Sequence, residues 1–77
     1  MDSNLLAALS IAIKTLRLSR NLSQEDLAEI CNLDRTYISG IERNTRNPTI
    51  RTVQKILVAL GVADKDFLDL VKEQLDD

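Results

Sequence analysis

Between Ser23 and Arg43 the chain carries two short apolar repeats separated by only Asn32, Leu33 and Asp34. Ser23 suits the position before a helix, and Asp26 three residues on completes a capping-box pair that satisfies two otherwise orphaned N–H groups. Leu27, Ala28 and Cys31 then recur at helical spacing. Asn32 tolerates the left-handed backbone that stops a helix in a tight turn. Asp34 opens the second repeat, in which Ile38 and Ile41 lie three apart. The pattern predicts helices over 24–31 and from 35 to about 43, with the small Ala28 where they cross.

The flanking segments follow the same logic. A stripe of Leu6, Leu9, Ile13 and Leu16 predicts a first helix from Ser3 or Asn4 to Arg20, ended by Asn21. Residues 44–48 read as a loop, because Pro48 bars a continuous helix. Thr49 then caps a fourth helix with Ile50, Val53, Leu57 and Leu60 on one stripe, stopped by Gly61. A fifth helix starts near Asp64 and runs to the C-terminus. Its Phe67, Leu68, Leu70, Val71 and Leu75 span an arc of about 160°, wider than packing against one neighbour requires. Nothing reads as a strand or linker, and no segment of sequence duplicates another. The expectation is an all-α, five-helix single domain over 1–77, with 62–77 contributing a C-terminal helix.

Composition narrows the function classes. A chain of 77 residues, 44% of them hydrophobic, is near the lower limit for one helical core without a staple. The single cysteine excludes an internal disulfide framework and fits a reducing cytoplasm. There is no apolar run of membrane-spanning length, and MDSNLLAALS has no basic segment ahead of an apolar core, so neither a membrane anchor nor a secretory signal is expected. With no histidine, one cysteine in an apolar helical slot and no glycine-rich phosphate loop, the parts of an enzyme are missing. No catalytic residue, metal or cofactor is therefore expected. The net charge of −2 argues against a nucleic-acid partner, but its distribution does not. Residues 14–55 hold eight basic side chains against five acids, and residues 56–77 hold two against six. Either this is ordinary scatter, or the domain is polarised with one face suited to phosphates.

Projecting the second repeat as a helix with Arg35 at zero places Ser39, Arg43 and Thr36 at about 40°, 80° and 100°, and Ile38 and Ile41 near 300° and 240°. The isoleucines would anchor the helix while the polar set faces outward. Two helices so joined form a helix-turn-helix arrangement, whose second helix can enter a DNA major groove N-terminus first. Arg35 and Thr36, with Ser39 behind them, are the candidate base-reading residues, since arginine pairs with guanine O6 and N7 and threonine meets a base edge or thymine methyl. Tyr37, Arg43, Arg46 and Asn47 are candidates for the DNA backbone or groove edge. So are Gln24, at a helix N-terminus, and Thr49, Arg51 and Thr52 at the start of the fourth helix. Gly40 flanks the outward face; close backbone approach and chance both account for it. Arg17 and Glu42 read as an ion pair between the first and third helices rather than as DNA-proximal charges.

The segments SQEDLA, DRTYISGIER, NPTI and ALGV resemble the Xre, or lambda-repressor-like, helix-turn-helix family across residues 23–62. LDRTYISGIERNTRNPT and the short length are similar to the controller proteins of restriction–modification systems. That resemblance implies a homodimeric transcription factor that binds a palindromic operator and regulates its own and the endonuclease gene. It also implies that Arg35 and Thr36 read bases, and that Gln24, Tyr37, Ser39, Arg46, Asn47 and Thr52 contact the sugar-phosphate backbone or groove edges. Asn21 and Asn32 stand where many relatives carry glycine.

One recognition helix reads too few base pairs for useful specificity, so a two-fold dimer is expected. Phe67, Leu70 and Val71 are the candidate interface, with Leu68 and Leu75 completing the core. A bound dimer would block or recruit RNA polymerase. The rival reading is a protein-interaction module such as an antitoxin, with the acidic tail as its contact and DNA secondary.

Overall fold

The computed structural model describes residues 4–75. In order these form α1 (Asn4–Ser19), α2 (Gln24–Cys31), α3 (Arg35–Glu42), α4 (Ile50–Leu60) and α5 (Asp64–Leu75), with no strand among the described residues. Ser3 as a helix start and the terminal acids Asp76 and Asp77 lie outside them. The boundaries follow from the caps. Ser23 Oγ accepts from the Asp26 N–H and Asp26 Oδ2 accepts from the Ser23 N–H, both at 2.9 Å, closing the expected capping box. The Ser23 N–H, then its hydroxyl, hold the Asp26 carboxyl below its ordinary pKa of 3.8. Asp34 and Thr49 cap α3 and α4 in the same sense.

The four inner helix ends share one closure. Asn21, Asn32, Asn44 and Gly61 take left-handed φ values of 58°, 57°, 62° and 69°. In each case the next N–H reaches back five residues: Leu22 to Arg17, Leu33 to Ala28, Thr45 to Gly40 and Val62 to Leu57, at 2.8–3.2 Å. These bonds satisfy the last carbonyls of a helix that would otherwise lack partners. Asn44 was not expected in this role. Arg20, expected to be the last residue of the first helix, lies just beyond it. Its Nε donates to the Leu60 carbonyl at 2.8 Å and helps close α4.

Ile13, Leu27, Ile38, Ile41 and Ile56 are the largest fully buried side chains. α2 packs on α3 and α4, α1 also touches α3, and α5 lies chiefly along α1. α1 buries the small Ala8 and Ala12 together with Ile13, while Leu6, Leu9 and Leu16 are half-buried.

Two expected apolar roles are corrected. Phe67 and Val71, expected at a partner interface, are 3% and 4% exposed within the single chain, whereas Leu68 and Leu75, expected in the core, are 63% and 41% exposed. The expected allocation on α5 is reversed, because Phe67 and Val71 join the core cluster on a helix packed chiefly against α1. Leu70 is half-buried against the same core. Ile50, expected on the α4 core stripe, is 82% exposed. It occupies the first turn of α4, ahead of Val53, where the stripe meets the core. Ile50 and Leu68 instead border an apolar groove of about 230 Å³ floored by Leu9, Val53, Leu57 and Phe67.

Candidate nucleic-acid interface

The outward face of α3 is built from inside. Ile38 and Ile41 are 0% and 1% exposed, which leaves Arg35, Thr36 and Arg43 in solvent and Ser39 and Tyr37 half-buried. The guanidinium groups of Arg35, Arg43 and Arg51 make no hydrogen bond or ion pair among the described residues. Thr36 differs: its hydroxyl donates to Asp34 Oδ2 at 2.9 Å, which fixes the side chain at the helix start. Its oxygen lone pairs remain available to accept and its methyl to make apolar contact. Asn47 and Thr49 are exposed and Thr52 is half-buried. The Thr49 hydroxyl donates to Thr52 Oγ1 at 3.0 Å and accepts from the Thr52 N–H at 3.1 Å, so these two threonines form the cap of α4.

Beneath this face lies a buried ionic clamp. Arg17 Nε donates to Glu42 Oε2 at 2.7 Å and Arg17 Nη2 to Glu42 Oε1 at 3.0 Å, while Nη1 donates to the Leu22 carbonyl at 2.6 Å. The two side chains are 8% and 2% exposed. The expected ion pair between the first and third helices is therefore present, and it removes Arg17 from any positive face. Gln24 joins it: its Nε2 donates to Glu42 Oε1 at 3.1 Å, so its amide is oriented from below rather than free. Nothing in the sequence links Gln24 to Glu42, because their meeting depends on the angle between α2 and α3.

Tyr37 and Arg46 also come together. The Arg46 guanidinium carbon lies 5.7 Å from the Tyr37 ring centroid, within cation–π range. Gly40 is buried rather than outward, and its carbonyl accepts from the Thr45 and Arg46 N–H groups at 2.8 and 3.1 Å and from the Thr45 hydroxyl at 3.1 Å. The 44–48 loop thus folds back over the end of α3. Cys31 is buried, and desolvation pushes its thiol pKa up despite the opposing charge of Lys55. No group of carboxylates, histidines or cysteines suited to a metal ion occurs among the described residues. No helix of the described chain is long and apolar enough to cross a membrane.

With a capped two-helix unit, a solvent-facing basic and hydroxyl face on the second helix and three further helices around it, the chain belongs to the helix-turn-helix family. The family model of that description matches residues 13–67. Among its relatives is control protein C.BamHI of Bacillus amyloliquefaciens, 49% identical over 70 residues that span 90% of this chain and 86% of that protein. In three dimensions the chain is similar to the controller protein C.Esp1396I solved on a 19-base-pair DNA duplex, with a TM-score of 0.92, 47% identity and coverage of 97% of this chain and 100% of that one. It is also similar to C.Esp1396I solved as a tetramer in complex with its natural 35-base-pair operator, with a TM-score of 0.89, 51% identity and the same coverage. The five-helix, lambda-repressor-like architecture implied by the sequence resemblance is the architecture observed.

Proposed function

We propose that this chain is a sequence-specific DNA-binding transcription regulator of the restriction–modification controller kind. It acts as a homodimer on a palindromic operator and controls its own and the endonuclease gene. The observation that carries this reading is the free Arg35 side chain beside the immobilised Thr36, at the exposed N-terminal end of a helix anchored by Ile38 and Ile41. Arg35 pairs with guanine O6 and N7, Thr36 accepts from a base amino group or meets a thymine methyl, and Ser39 supports them. Gln24, Tyr37, Arg43, Arg46, Asn47, Thr49, Arg51 and Thr52 hold the register through phosphates and groove edges. No reaction is assigned to the chain, which works on DNA in the cytoplasm as one domain over 1–77; bound, it blocks or recruits RNA polymerase.

We propose that the interface still uses α5, with other side chains. Leu68 and Ile50, exposed on either side of the apolar groove, take the place of Phe67 and Val71 as the side chains a second copy covers. Only Thr49 separates Ile50 from the 44–48 loop, so a partner seated there lies close in sequence to the loop that follows α3.

Selection of duplexes from a random DNA pool tests the function. The wild type enriches a palindrome whose half-sites lie about one helical turn apart, and Arg35→Ala relaxes preference at one base pair per half-site at a cost of about 1–3 kcal/mol. A folded wild type that enriches nothing overturns the DNA reading in favour of a protein-interaction module.

A further inference from the structure

Gly40 is the only helix-interior glycine of the described chain, and its position is not explained by the exposed face of α3. It is buried on the side where the 44–48 loop returns. A Cβ built on Gly40 would stand 2.5 Å from Arg46 Cγ, 3.3 Å from Arg46 Cβ and 3.4 Å from Thr45 Oγ1. The first distance is shorter than two carbon atoms tolerate, so the stem of Arg46 occupies the space that any other residue at 40 would fill. Two N–H bonds to the Gly40 carbonyl, from Thr45 and Arg46, fix the loop backbone at that place. From there the Arg46 side chain reaches back along α3 until its guanidinium stands 5.7 Å from the Tyr37 ring.

We infer that Gly40 is a positioning residue for DNA binding: its missing side chain lets Arg46 cross α3 onto Tyr37, so that guanidinium and phenol meet the phosphate backbone as one preassembled unit. This rests on the proposed DNA-binding function. Preassembly matters because a free arginine must lose rotamer freedom on binding, whereas one already held by its stem and by an aromatic ring has lost much of it beforehand. Gly40→Ala installs a methyl group at the Arg46 stem and drives the guanidinium off the ring, while alanine is the better helix former.

The test uses Gly40→Ala, Arg46→Ala and the double variant. Tyr37 is the sole tyrosine and there is no tryptophan, so its fluorescence and ring proton resonances report this contact without DNA. Both single variants shift the Tyr37 signals. Each weakens operator and random duplexes alike by about tenfold to thirtyfold at ~0.15 M salt and flattens the salt dependence by about one phosphate per protomer. The double variant binds no worse than Arg46→Ala, because Gly40 acts through Arg46. If Gly40→Ala melts early, recovery of the melt in the double variant identifies the Arg46 stem as the obstacle, and no recovery overturns the assignment. Unchanged Tyr37 signals and affinity in Gly40→Ala, or additive penalties in the double variant, also overturn it. A wild type that binds no duplex overturns the DNA reading itself, an outcome separable from the Tyr37 signals of the free protein.

Discussion

Glu42 joins three helices at one buried carboxylate. It takes both forks of the Arg17 guanidinium and the Gln24 amide, in a site where neither charged side chain is more than 8% exposed. Surface pairs contribute little, but removing one member of a buried pair leaves a desolvated charge behind. Glu42→Ala is therefore expected to cost about 3–5 kcal/mol, a large fraction of the stability of a small domain. Urea unfolding of wild type and variant measures it, and a loss below about 1 kcal/mol would show the pair behaving as a surface bridge. The residue scale is also where sequence reading is weakest. The Arg17–Glu42 pair was expected from opposite charges on the first and third helices, in preference to a DNA-proximal role for either residue. The Gln24 link and the burial of Gly40 were not, since each depends on where a distant backbone segment lies.

Helix boundaries were legible because capping chemistry is local. The limits of α2 and α4 coincide with expectation, and those of α1 and α3 fall within one residue of it. Asn44 read only as the start of the 44–48 loop, because a polar run after a helix does not itself mark which residue takes the left-handed backbone. The apolar face of α5 was visible as a face, yet a stripe does not say which neighbour covers which part, so the core and exposed roles came out exchanged. The α2 cap gives a pH prediction. The Asp26 carboxyl titrates below its ordinary value of 3.8 in the folded chain, held down by the Ser23 N–H and hydroxyl. A depressed carboxylate contributes stability that is present above the unfolded pKa and lost as pH falls through the folded one. The advantage of wild type over Asp26→Asn should accordingly be full near neutrality and shrink as pH drops below about 4. Paired melts across that range check it; a gap that stays constant would mean the ionised capping box adds nothing.

At the scale of the whole molecule, burial separates two sets of apolar side chains that the sequence could not tell apart. Phe67, 3% exposed, belongs to the fold, and Phe67→Ala is expected to lower stability by about 3–5 kcal/mol. Leu68 and Ile50, 63% and 82% exposed, belong to the surface. Leu68→Glu should leave the melting of dilute protein nearly unchanged while abolishing self-association in sedimentation; a variant that still sediments as a dimer would move the interface elsewhere. The closed core has a further result. Because Phe67 and Val71 are already covered within one chain, pairing is not what buries them. Newly made copies would then persist singly until their number suffices for pairing, and at low abundance the amount of the paired form would rise as the square of the dose. Halving the supply would cut operator occupancy to about a quarter in that regime, a steepness obtained from mass action alone.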